Sequence, residues 1–169
     1  MKLIILDRLR PYLRERGYAA TEIESVLAAE PSRLDLIVPR AEAVRAFRKL
    51  PEAESLAAAN KRIRNILLKS PPPSGDLFSD TLLEEEEERA LHQASQLIED
   101  TVRSRARDGR YAEALKALAA LKVPVDAFFD KVLVNAPRSD LRNNRLLLLM
   151  RLEDTMNQVA DLSKLAIEK

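Results

Sequence analysis

Apolar positions recur at helical spacing along most of the chain, and no stretch shows the period of two that a half-buried strand requires. The clearest case is "PEAESLAAANKRIRNILLK". Leu56, Ala59, Ile63, Ile66 and Leu67 fall towards one side of a helix, and Pro51 and Glu52 suit its first turn. Upstream, "KLIILDRLRPYLRERG" predicts a helix that stops at Gly17, with Pro11 kinking or dividing it. "TEIESVLAAE" predicts a second, with Thr21 as N-cap and Pro31 beyond its end. "LDLIVPRAEAVRAFRKL" predicts a third, with Pro39 in its first turn. After the loop "SPPPSGDLFSD", the stretch "TLLEEEEERALHQASQLIEDTVRSRARDG" predicts a long helix. Its Leu83, Leu91, Ala94, Ile98 and Val102 face inward, and Gly109 closes it. Two shorter helices follow, one to Pro124 and one over "PVDAFFDKVLVNA", with Val125, Phe128, Phe129 and Val132 at core spacing. The last starts near Ser139 and is expected to continue through "DTMNQVADLSKL". The pattern predicts an all-α bundle of about eight helices, a single domain over 1–169 with an internal loop at 70–81.

The run "SDLRNNRLLLLM" is too short for a membrane span, which needs about 20 apolar residues. On a helix, Leu141, Leu148, Leu149, Leu152 and Met156 form an apolar sector. Arg145 falls inside it and Arg142 at its edge, while Asn143, Asn144 and Arg151 fall opposite. A cation inside an apolar sector needs an acceptor. Asp126 and Asp130 are the expected ion-pair partners of Arg145, whereas Arg142 is either structural or open to a ligand.

Composition agrees with a helical protein: three glycines in 169 residues, with 33% charged residues. The absence of cysteine removes disulfides and thiolate chemistry. Net charge is only +1, but it is unevenly spread. Residues 1–70 carry 14 Lys+Arg against 9 Asp+Glu, and residues 71–169 carry 14 against 18. The first part is the better surface for a polyanion. The opening "MKLIIL" enters a helix directly and lacks the form of a signal peptide, as a piece of a longer chain would.

Catalytic chemistry has little to work with. His92 is the one histidine and is expected to be solvated, and no glycine-rich phosphate loop is present. Glu84 to Glu88 are consecutive, so a helix spreads them around its axis instead of converging them on a metal. They are expected to form a solvated helix start. The basic residues are more informative. Lys61, Arg62, Asn65 and Lys69 share one side of their helix, and Arg45, Arg48 and Lys49 lie on the preceding one. Two such faces would line a groove for a phosphate backbone, or they are ordinary solvated surface.

Several segments together resemble a known family. "DRLRPYLRERGY", "AANKRIRNIL", "PVDAFFDKVLV" and "LRNNRLLLLMRL" followed by "QVADLSKL" are similar to the C-terminal region of the beta subunit of bacterial glycyl-tRNA synthetase. That region is an all-helical anticodon-binding domain of the DALR type. The motif behind that name reads "SDLR" here, so Leu141 and Arg142 match, while Ser139 and Asp140 depart from it and carry no functional expectation. The resemblance implies recognition of the tRNA(Gly) anticodon stem-loop by a piece that is itself non-catalytic. It implies no cofactor here, with ATP and Mg used on a separate alpha subunit, and the rest of the beta subunit as a further partner. The expected setting is cytoplasmic, with no membrane contact. The RNA-binding candidates are Arg45, Arg48, Lys49, Lys61, Arg62, Asn65, Lys69 and Arg142. "KRIRNI" is shared with arginyl-tRNA synthetase, whose anticodon domain is one alternative. A helical docking module without RNA contact is the other.

Overall fold

The computed structural model describes residues 2–29, 34–70 and 77–166. They form eight α-helices and four short 3-10 turns, with no strand among them. The helices are α1 (Lys2–Glu15), α2 (Ala20–Ala28), α3 (Ile37–Phe47), α4 (Ala53–Lys69), α5 (Glu86–Arg107), α6 (Tyr111–Ala117), α7 (Lys122–Lys131) and α8 (Ser139–Met156). One core runs through them all, with Leu13, Ile23, Ile37, Leu56, Ile63, Leu91, Leu118, Phe128, Leu148 and Leu149 almost fully enclosed. Each such side chain contributes about 1.5–3 kcal/mol on leaving water.

Local chemistry explains most boundaries. Gly17 and Gly109 take φ of +92° and +79°, the left-handed conformation that ends α1 and α5. Pro11 lies inside α1, and Pro39 and Pro124 sit in the first turns of α3 and α7, where a missing N–H costs nothing. The start of α2 differs from expectation. Ala19 is the N-cap, and its N–H donates to Glu22 Oε1 at 2.7 Å, so Thr21 lies within the helix. The acid in the first turn does the capping that Thr21 was expected to do. Pro31 and most of the proline-rich loop lie outside the described residues.

Two elements are shorter than their apolar pattern suggests. Helix α5 begins at Glu86, because residues 80–82 form a separate 3-10 turn. Helix α8 ends at Met156, and residues 162–165 form another such turn. This last turn inserts between α2 and α4. Asp161 donates its N–H to Ser25 O at 2.8 Å, its carboxylate accepts from Arg64, and Arg40 Nη1 donates to Val159 O at 2.7 Å.

Helix α8 is enclosed on most of its circumference by α4 and α5. Leu141, Asn144, Arg145, Leu146, Leu148, Leu149, Leu152 and Met156 are all buried, so of its polar side Asn144 is enclosed while Arg151 stays exposed. Asn144 accepts from Ser79 N–H at 2.8 Å and donates to Ser79 O at 3.1 Å, fastening the segment before α5.

Candidate nucleic-acid interface

The sequence candidates separate by what already surrounds them. On α4 the core-facing positions Leu56, Ala59 and Ile63 are buried, which turns the opposite side outward. Arg62, Asn65 and Lys69 are exposed there, with Lys61 half-buried beside them. Arg62 and Lys69 have no carboxylate within ion-pairing distance among the described residues. The Arg62 guanidinium lies over the Phe129 ring of α7, 4.4 Å from its centroid.

Helix α3 behaves differently. Arg45 pairs with Glu42 at 3.7 Å and stacks over Tyr18, while Arg48 reaches Glu22, a buried carboxylate, at 3.4 Å. Arg48 is thus directed to α2 and Arg45 to Tyr18, just before it, and burial together with Glu42 pushes the Tyr18 hydroxyl above its ordinary pKa. Lys49 is exposed with no such partner. The two helices therefore do not form a single basic groove. Arg62 lines a concavity with α7, and Arg48 lines another beside Ala53, Glu54, Ala57 and Leu165.

The arginines of α8 are engaged. Arg145 does not meet Asp126 or Asp130. Its Nη2 donates to Glu88 Oε1 at 2.8 Å in a fully buried pair, and its Nη1 donates to Leu133 O at 2.6 Å. The expected partners lie elsewhere: Asp126 accepts from Ser55 Oγ at 3.1 Å and Lys122 Nζ at 2.8 Å, and Asp130 lies 3.9 Å from Lys131. Arg142, half-buried, donates to Ala136 O at 3.3 Å. Both arginines thus hold the backbone that joins α7 to α8. At the head of α8, Arg138 bonds Asp140 and holds its carboxyl below the usual carboxylate range.

Glu88 and His92 depart from the solvated positions that the pattern predicts. Glu88 is completely buried, not part of a solvated glutamate start. It shares a helical phase with Leu91, His92 and Ser95, at i+3, i+4 and i+7, and that phase was the available signal. His92 is buried against Phe78, with ring centroids 4.7 Å apart and its Nε2 3.5 Å from Asp80. Burial, aided by Arg151, outweighs Asp80 and lowers its pKa. Phe128 is core, whereas Phe129 is only half-buried under Arg62.

Among the described residues, no three potential ligands converge on a metal position. None of their helices is long and apolar enough to cross a membrane. What the surface offers is unpaired cations, a guanidinium stacked on an aromatic ring, and amide groups, the components of RNA recognition.

Known proteins agree with that composition. The chain is 52% identical over 162 residues to the glycine–tRNA ligase beta subunit of Ralstonia nicotianae, covering 96% of this chain and 23% of that protein. The corresponding subunits of Methylobacillus flagellatus and Nitrosomonas europaea are also 52% identical, over 96% and 95% of the chain. The chain spans less than a quarter of these relatives' length. The pattern that defines the DALR anticodon binding domain matches residues 56–167, from the first core leucine of α4 to just past the last 3-10 turn. The helices that carry the Arg62 and Arg142 positions are therefore those of a recognised domain, and the chain belongs to the DALR anticodon binding domain family.

Proposed function

We propose that this chain recognises the anticodon stem-loop of tRNA(Gly) as part of a glycyl-tRNA synthetase beta subunit. The observation that carries the reading is identity of about one residue in two with glycine–tRNA ligase beta subunits across nearly the whole chain, within a domain type that binds anticodons. The same relatives favour glycine over arginine as the amino acid served. Arg62 and Lys69, exposed on α4 with no carboxylate in ion-pairing distance among the described residues, support it physically, since such a cation releases counterions on meeting a phosphate.

In this reading the chain is a non-catalytic part of a ligase working in the cytoplasm. Glycine activation with ATP and Mg takes place on an alpha subunit, and the remainder of the beta subunit packs against this domain. Lys49, Lys61, Arg62 and Lys69 serve as phosphate contacts, with Arg62 and Asn65 within reach of base edges. Arg45, Arg48 and Arg142 support the scaffold through the partners described above.

Binding of the full chain to anticodon stem-loops at several salt concentrations tests this. The expected result is preference for the glycine stem-loop over one altered at the second and third anticodon bases, with affinity falling steeply as salt rises. Absence of salt-dependent binding to any stem-loop would instead support a domain that only docks on its own subunit.

A further inference from the structure

Asp126 and Asp130, away from Arg145, point to a more specific site. A concavity of about 360 Å³ lies between α4 and α7. That volume is within the range of small-ligand pockets, about 300–1,000 Å³. Arg62 and Phe129 form one wall, Asp126 and Asp130 stand one helical turn apart on α7, and Ser55 closes the edge. Ala58 and Ala59 leave the floor clear, because neither fills the space between the helices. Arg62 lines the same hollow as the two carboxylates yet pairs with neither. Asp130 has only the 3.9 Å contact to Lys131, and one oxygen of Asp126 binds Lys122 while Ser55 approaches the other.

A phosphate would be repelled by two carboxylates, so this is not simply an extension of the cationic face. A base suits it better. In RNA, unpaired bases stack on aromatic rings and guanidinium planes, and their edges are read by hydrogen bonds. A carboxylate accepts from an exocyclic amino group and a guanidinium donates to ring nitrogen or carbonyl oxygen. Cytosine presents an amino donor beside two acceptors, N3 and O2. Uracil presents a carbonyl where cytosine has its amino group, and that carbonyl faces a carboxylate unfavourably.

We infer that the pocket between α4 and α7 receives an unpaired cytosine, whose amino group donates to the Asp126–Asp130 pair and whose acceptors meet Arg62. The choice of cytosine among amino-bearing bases rests on the anticodon reading, because glycine anticodons share cytosine at their second and third positions. Asp126 and Asp130 thereby become specificity residues, and they act by rejecting uracil more than by adding affinity.

The test uses the full chain with glycine stem-loops carrying cytosine or uracil at the second or the third anticodon position. Wild type is compared with Asp126→Asn, Asp130→Asn and Arg62→Lys. The carboxylates are 47% and 74% exposed, so the asparagine variants should keep the wild-type melting temperature, which is measured alongside. Wild type should prefer cytosine at one position by about tenfold. An asparagine variant should reduce that preference to about twofold or less, because its carboxamide can donate to the uracil carbonyl. Arg62→Lys, which keeps the charge and loses the plane, should weaken the cytosine RNA by about tenfold. Discrimination that survives in all three folded variants would overturn the site while leaving the anticodon reading intact. Equal tightening of both RNAs by the asparagine variants would also overturn it, since the acids would then act only as negative charge. A wild-type chain that fails to distinguish the two RNAs at either position would sink the anticodon reading and the inference together.

Discussion

Helices α4 and α8 carry similar words, "NKRIRNILL" and "RNNRLLLL", yet only α4 keeps an open polar flank: Asn60 and Arg64 are engaged with Asn157 and Asp161, while Arg62, Asn65 and Lys69 are not enclosed. On α4 one flank faces solvent, so Arg62, Asn65 and Lys69 project outward, and Arg62 meets only an aromatic ring. On α8 most of the circumference is packed against α4, α5 and the turn at residues 80–82, and only Met150, Arg151 and Asp154 in its second half face solvent. Arg145 is bound to Glu88 and Leu133 O, Arg142 to Ala136 O and Asn144 to Ser79. The difference lies in acceptors far away in sequence. A helix that is enclosed must satisfy its arginines internally, and a helix with one open flank leaves them for a ligand.

The comparison breaks most sharply at Arg145. Arg145→Ala leaves the buried Glu88 carboxyl without its ion-pair partner, and should lower unfolding free energy by about 3–5 kcal/mol in urea titration. Replacing both members with apolar residues, as in Glu88→Leu with Arg145→Met, should cost far less than that single change. Equal losses would mean that the pair does not act as one unit.

Asn144→Ala comes next. It strips both bonds from the Ser79 backbone and should cost about 1–3 kcal/mol, without changing RNA affinity in the folded protein. Arg62→Ala should do the reverse, leaving the melting temperature within a degree or two and weakening stem-loop binding by about 1–3 kcal/mol. Lys69→Ala should weaken all RNAs alike and reduce the salt slope by about one. A large melting shift in Arg62→Ala would move that residue from the open class to the enclosed one.

The smallest effect concerns His92. Its folded pKa lies below the unfolded value of about 6.5, so the unfolded chain takes up the proton more readily. The stabilisation is present above that value and is lost as pH falls through the folded pKa. Melting temperature should therefore decline between about pH 7 and pH 5, and His92→Gln should flatten part of that decline.

These cases also mark what was legible in sequence. The phase of α4 was readable because its apolar positions repeat cleanly, and the outward placement of Arg62, Asn65 and Lys69 followed from it. The phase of α8 located its core leucines but misread its other side, since nothing in the sequence reveals that Ser79, 65 residues away, waits for Asn144. Glu88 was hidden by identical neighbours, although its alignment with Leu91 and Ser95 carried the information. The need for a carboxylate from another helix at Arg145 is legible, but not which one: Asp126 and Asp130 of α7 are the expected partners. The structure places a carboxylate from α5 there instead, 57 residues away, and that is a fact of packing.

The turn at residues 162–165 has a consequence for how the protein is made. It fills the space between α2 and α4, with bonds that span 97 to 119 residues from Arg40 and Arg64. During synthesis the amino-terminal helices leave the ribosome long before Leu162 exists, and until then Asp161 has not met Ser25 and the surface between α2 and α4 stays open. Closing it joins residues far apart in sequence, and such contacts form later than local ones. Until residues 162–165 are made, the nascent chain carries an uncovered apolar seam between α2 and α4.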